Sequence, residues 1–289
     1  MELRIGEKRI VAIHKGNTPI HGLMVGGYLW HGSAGYITME TSNYAGSVID
    51  YENLHKVYHT TTINAYCTSD TNRRTNVTVS SGGILNKAAV NGGILTIQSG
   101  GSAGYVSMTT SKFPVNGVLQ NIRSILNIEN GAVVDYTSAY APDNQGVINV
   151  HGVLSSGYAA GSIQIYVTSG GSVLNTSASG SAHVTVGAGG VVSKHTGVVN
   201  LAVTSGGTVY NAYANPNGRI IIDKGGVVSG CSGYSDWIQV DSGGKLYSPT
   251  ISAGTTLAVN YGGSAIDVVN SGGSVESSYG AYITYKDKE

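Results

Sequence analysis

Phenylalanine is almost missing from this chain: one residue in 289, against 19 tyrosines. Tyrosine keeps a polar handle on its ring, so the aromatic surface belongs at half-exposed positions rather than in a dry core. There are two cysteines, Cys67 and Cys231, far apart in sequence and without metal-ligand spacing around either. A disulfide framework is therefore excluded, and both are expected to be free thiols. Charge is scarce and balanced, with 16 basic and 16 acidic residues. A nucleic-acid partner, which needs a basic face, is not expected. No apolar run reaches the roughly 18 residues that span a membrane as a helix. The opening residues, Met1 to Arg9, hold no signal-peptide core. Export by another route, or trimming of a longer precursor, is the expectation. The 43 glycines follow no three-residue period, which excludes collagen, and a 41% hydrophobic content argues against compositional disorder.

What is present is a repeat. Glycine pairs recur at Gly170-Gly171, Gly189-Gly190, Gly206-Gly207, Gly225-Gly226, Gly243-Gly244 and Gly262-Gly263, spaced 19, 17, 19, 18 and 19 residues. A period near twenty points to a solenoid. Five residues before each pair stand Ile165, Val184, Leu201, Ile220, Ile238 and Leu257. Three before stand Val167, Val186, Val203, Ile222, Val240 and Val259. Two after stand Val173, Val192, Val209, Val228, Leu246 and Ala265. The first two rows alternate as in a half-buried strand, and the glycines supply a bend with positive φ. One unit cannot bury its valines alone, whereas stacked coils bury them continuously. The fold class is all-β, a single-chain parallel β-helix (β-solenoid) of about 19-residue coils. A run of antiparallel hairpins is the rival, but it has no need of constant spacing.

Along the chain, residues 1–32 read as an N-terminal β cap or attachment module. Residues 33–76 are irregular, Tyr-rich first coils, 77–275 the solenoid repeats, and 276–289 a C-terminal cap with a charged tail. Half-units are expected at Gly92-Gly93 and Gly100-Gly101, and a last pair at Gly272-Gly273. Insertions are expected near Lys112-Phe113-Pro114 and Tyr140-Ala141-Pro142-Asp143.

Two resemblances follow from these residues. The run VTSGGSVLNTSASGSAHVTVGAGGVVSKHTGVVNLAVTSGGTVYN is similar to the AIDA-type passenger repeat of bacterial autotransporter adhesins. That family's unit is about nineteen residues with a Ser-Gly-Gly turn, and the likeness covers Val77 to Val275. It implies a β-helix stalk displayed for attachment, although no C-terminal membrane-barrel pattern or secretion signal accompanies it. The run RIGEKRIVAIHKGNTPIHG resembles a short N-terminal module of tailed-phage structural proteins, which would make the repeat a tail-fibre shaft. Fibre proteins of this type often trimerise, so a homo-oligomer is plausible.

Equal positions in successive coils stack about 4.8 Å apart, so columns can be read directly. Two residues before the glycines, Asp223 and Asp241 become neighbours. They could hold a calcium ion, with Asp236 as a third ligand, or act as an acid and base pair. The simpler reading, which is the expectation, is two solvated carboxylates beside a turn with Lys224 nearby. Six before the glycines lie Gln164, His183, Asn200, Arg219, Trp237 and Thr256. Arg219 cannot sit unpaired in an apolar core, so this row is expected to be a loop or polar corner that could hold a sugar. Nucleophile elbows, zinc-spaced histidines and phosphate loops are not visible.

The reading is a structural and attachment protein, not an enzyme, outside the cell or on a virion tail. Its expected partners are a cell-surface glycan or protein receptor and other virion or cell-surface structural proteins. The expected ligand site is the Tyr234–Trp237 loop, with Tyr234, Asp236, Trp237 and nearby Arg219. Further aromatic and basic anchors stand at Tyr36–Tyr66, Arg73-Arg74 and Tyr136–Tyr140. No cofactor is expected beyond the possible calcium. The alternative is a polysaccharide lyase or hydrolase on the same fold.

Overall fold

The computed structural model describes residues 81–109, 111–115, 118–197, 200–214, 218–233 and 237–286. It also describes nine short strands before them, at 4–5, 8–9, 13–15, 18–20, 22–25, 28–31, 37–40, 57–64 and 76–79. Cys67 and the anchors at Arg73-Arg74 lie outside the described residues, as do Tyr234 and Asp236.

Among the described residues there is no helix, and the chain winds as a parallel β-solenoid of about ten turns. The coil that starts at His183 displays its parts separately. His183–Val186 forms a first side, Val191–Ser193 a second and His195–Gly197 a third. Each pairs in parallel with the equivalent strand of the next coil: His183 with Asn200, Val191 with Thr208, Thr196 with Tyr213. Three antiparallel hairpins precede the solenoid, at Arg4–Arg9, Ile13–Ile20 and Gly22–His31. A further hairpin, Ser111–Val115 with Val118–Ile122, interrupts one coil at the expected Lys112-Phe113-Pro114 insertion. The second expected insertion is milder: Val133–Val150 stays a strand with an irregularity between Ala141 and Gly146.

The three apolar rows all point inward. Ile165, the most accessible of the eighteen residues, is only 3% exposed. Burying a valine or isoleucine stabilises by roughly 1.5–3 kcal/mol, so the continuous row is the main cohesive force. The third side completes the wall with smaller or polar groups, among them Thr176, His195, Ala212 and Cys231. Cys231 is a free, buried thiol, and burial pushes its pKa up to about 12.

The two glycines of each turn do different work. The first has φ between +74° and +85° in all six regular turns, a region that L side chains resist. The second is excluded from substitution by space: a Cβ there would lie 2.0–2.5 Å from the carbonyl oxygen of a residue in the preceding coil. In the turn of Gly207 that oxygen belongs to Val186, at 2.1 Å. The glycine turns also bond to one another, Gly189 N–H to Gly206 O, Gly206 N–H to Gly225 O and Gly225 N–H to Gly243 O, each at 3.0 Å.

Not every glycine pair belongs to this turn. Gly92-Gly93 and Gly272-Gly273 lie where a coil enters its first side, before Ile94 and Ser274. At the second of these corners Asn270 Oδ1 accepts from the N–H groups of both glycines, at 3.1 and 2.9 Å. The expected half-unit and last pair are thus a different bend. The turn that follows Ser274–Ser277 is built around Gly280 instead.

His195 is a titratable group in the core, 2% exposed. Its Nδ1 lies 2.7 Å from Thr176 Oγ1, while Nε2 has no hydrogen-bond partner. Burial lowers its pKa from 6.5 to about 4.

Two outcomes are expected. Gly207→Val should cost several kcal/mol, because the side chain meets backbone that cannot move without shifting a coil. Gly206→Asn should cost less than about 1 kcal/mol, since asparagine tolerates left-handed φ. Equal losses in chemical denaturation would contradict the division of roles. The stability that neutral His195 contributes is fully present above pH 6.5 and is lost as pH falls towards 4. That depression corresponds to a loss on the order of 3 kcal/mol. His195→Ala should flatten this part of the stability–pH curve whatever its effect at neutral pH. An unchanged slope in the variant would show that His195 is not the group responsible.

Candidate functional site

The first side of each coil carries alternating inward and outward residues, and its outward rows form a flat face. The row six before the glycines lies on this face, within the long strand Val153–Val167 for Gln164 and as the first residue of the strand in the other five. Gln164, His183, Asn200, Arg219, Trp237 and Thr256 are all exposed or half-buried, pointing away from the core. The expected loop is therefore a strand, one residue longer than the apolar alternation suggested. Arg219 is exposed and needs no buried partner.

Arg219 and Trp237 are register partners on adjacent coils. The indole N–H of half-buried Trp237 donates to Gln239 Oε1 at 3.2 Å, which fixes the ring along its own strand. Gln239 Nε2 in turn donates to both oxygens of Asp241, at 2.9 and 3.0 Å. Asn260 Nδ2, one coil further, donates to Asp241 Oδ1 at 2.6 Å. An indole, two amides and a carboxylate are thus locked together on one rigid face, with a free-standing guanidinium beside them.

Asp223 lies next to Asp241 on the preceding coil. Burial, the charge of Asp241 and a hydrogen bond to it raise the pKa of Asp223. Asp241 is engaged by amides on two sides, and a cation between the two carboxylates would compete with those contacts. Among the described residues no group of three His, Cys, Asp or Glu could hold a metal ion. The third expected ligand, Asp236, falls outside the described residues, as does Tyr234 of the expected loop.

Gln239 and Asn260 escaped the sequence reading. Gln239 sits two residues after Trp237, one outward position along the same strand, and the strand period alone would have placed it there. Asn260 was in the same column as Asp223 and Asp241, but an amide does not stand out until its partner is seen. Tyr136 and Tyr140, expected at an irregular stretch, stand on the long strand Val133–Val150, at 39% and 54% exposure.

No family model matches the chain, and no curated protein matches it. Among solved structures the chain is similar to a TibA fragment, residues 55–350, whose hyper-glycosylation is catalysed by TibC. The identity is 23% over 71% of this chain and 86% of that one, with a TM-score of 0.41.

The raised Asp223 generates a prediction. A carboxyl whose pKa is raised on folding costs stability above its folded pKa, and the cost vanishes as it protonates in acid. Asp223→Asn should therefore stabilise the protein at neutral pH, by less than about 1 kcal/mol because the pair is partly solvated. The gain should shrink to nothing near pH 3. Thermal melts at the two pH values test this, and a gain that persists in acid would mean that charge repulsion is not its source.

Proposed function

We propose that this solenoid is a structural and attachment protein that recognises a cell-surface glycan on its flat first side, on a virion tail or a bacterial surface. The observation that carries the reading is the Trp237 indole. It is held half-exposed by Gln239, beside the exposed guanidinium of Arg219 and the amide-bound carboxylate of Asp241. A ring face offers a platform for the C–H face of a sugar, and fixed amide and carboxylate groups match ring hydroxyls. The β-solenoid supplies stiffness, so little entropy is lost when such a surface meets a ligand.

The enzymatic alternative draws its support from the Asp223–Asp241 pair. Glycoside-cleaving carboxyl pairs keep about 5 Å or more between them to admit the sugar or a water. Asp241 is instead occupied by the amides of Gln239 and Asn260, which favours recognition over cleavage.

The test is binding to whole cells and to a glycan array by wild type, Trp237→Ala and a Ser205→Ala control. Trp237→Ala should keep its fold and lose about tenfold or more in affinity, as buried aromatic anchors do. Binding equal to the control would reject this face. Release of new reducing ends or unsaturated sugars from a bound polysaccharide would favour the enzyme instead.

A further inference from the structure

A second surface feature lies on the other flank of the solenoid, where the second side bends into the third. It is a shallow depression of about 460 Å³, and the residues that shape it include Tyr136, Tyr158, Asn175, Ser177, Lys194 and Thr196. We infer that this trough is a separate binding site for an acidic oligosaccharide, with its rings against the two tyrosines and its carboxylate at Lys194.

The aromatic end is pre-set. Tyr136 stacks on Tyr105 of the preceding coil, ring centroids 5.5 Å apart and planes 10° from parallel. Tyr158 is held from the other direction, its hydroxyl 2.9 Å from Ser179 Oγ. Both rings remain 39–40% exposed. A stacked and a tethered ring lose little freedom on meeting a ligand, and their faces suit the C–H surface of a pyranose. The middle of the trough is short and polar, with the amide of Asn175 and the hydroxyl of Ser177 available to ring hydroxyls.

The charged end is set by the backbone. Lys194 has φ +58°, a left-handed conformation uncommon for a residue other than glycine, asparagine or aspartate. In the following coils the same corner is filled by Asn211, Gly230, Ser248 and Asp267, also at positive φ. The corner tolerates asparagine or glycine, yet at the trough it carries an ammonium. Its main chain is fixed on both sides, Lys194 N–H to Tyr210 O at 2.9 Å and Thr176 N–H to Lys194 O at 3.2 Å. No carboxylate lines the depression among the described residues. The ammonium is therefore available to an anionic group of a ligand. Tyr136 and Lys194 are three coils apart, about 14 Å along the axis. A lone phosphate or a single sugar acid cannot reach from ring to charge, whereas a short chain of sugars can.

The site is distinct from the first-side face, and the experiment separates the two. The probes are trigalacturonic acid and neutral galactotriose, titrated by calorimetry at low salt into wild type, Lys194→Asn, Tyr158→Ala and Trp237→Ala. Wild type should bind the acidic trimer about tenfold more tightly than the neutral one, with the preference weakening as salt is added. Lys194→Asn should abolish the preference. Its fold is safeguarded because Asn211 already occupies the same corner, and its melting temperature serves as the check. Tyr158→Ala should weaken both probes, and Trp237→Ala neither. Absence of binding by wild type, equal affinity for both probes, or a preference that survives Lys194→Asn would overturn the proposal. Loss of binding in Trp237→Ala alone would also overturn it while leaving the first-side reading intact. The expected pattern here, together with a Trp237→Ala variant that binds cells normally, would remove the first-side reading and keep this one.

Discussion

The structure depends on how closely one coil can lie upon the next. Parallel strands pair only about 4.8 Å apart, so every bend must nest over the bend below it. The second glycine of each turn meets this constraint by leaving its Cβ position to a carbonyl of the preceding coil. The first meets it by taking positive φ and passing its N–H to the turn glycine of the next coil. With the bends nested, register is fixed around the whole coil, and the inward rows of valine, leucine and isoleucine align without further instruction. A one-residue slip would turn each strand's apolar residues outward, so the hydrophobic core and the turns enforce the same answer.

Fixed register has a consequence outside the core. Outward side chains become a lattice, with columns along the axis and pairs along each strand. Hydrogen bonds then run in both directions. Trp237 to Gln239 to Asp241 lies along one strand, and Asn260 to Asp241 crosses coils. Asn149 to Asn127 to Thr96 forms a similar ladder further up, at 2.8 and 3.1 Å. Charges are rare on this surface, with 32 charged residues in 289, so the few that stand alone define its chemistry. Arg219 shares its face with a carboxylate already held by amides, and Lys194 stands in a trough with no carboxylate in its lining, which gives both specificity more than raw affinity.

The solenoid and two of its three inner walls were legible because both depend on repetition: glycine pairs at constant spacing and apolar residues at fixed offsets from them. The third wall was not legible. Its inner column runs Thr176, His195, Ala212, Cys231, and no hydropathy rule groups these residues. Its corner is left-handed, yet it is filled by Lys194, Asn211, Ser248 and Asp267 as well as glycine, so the usual turn marker is missing. Glycine pairs misled where a second kind of bend used them, at Gly92-Gly93 and Gly272-Gly273. Of the expected ligand site, Arg219 and Trp237 come together on adjacent coils. Their amide partners were illegible because a glutamine or asparagine acquires meaning only from the group it faces. The trough was illegible for a related reason: Tyr136, Tyr158 and Lys194 sit in different coils, Tyr136 and Lys194 at the corner column and Tyr158 two positions beyond it, and the register alone brings them to one depression.

The third wall also joins the inside of the molecule to its outside. Thr176 lines the trough, and its hydroxyl holds Nδ1 of His195 within the core. The other imidazole nitrogen has no partner, so this wall holds the one buried side-chain polar atom without a partner among the described residues. An unpaired buried acceptor or donor costs on the order of 1–3 kcal/mol, and a charge there costs more. The packing of the coils around His195 is consequently sensitive to acid, and the trough is built on those same coils. Linkage then works in both directions. A ligand that binds the intact trough favours the packed state and opposes protonation of His195, while acid that charges His195 works against the trough. The least apolar wall of the solenoid is in this way the one where stability and recognition share a residue.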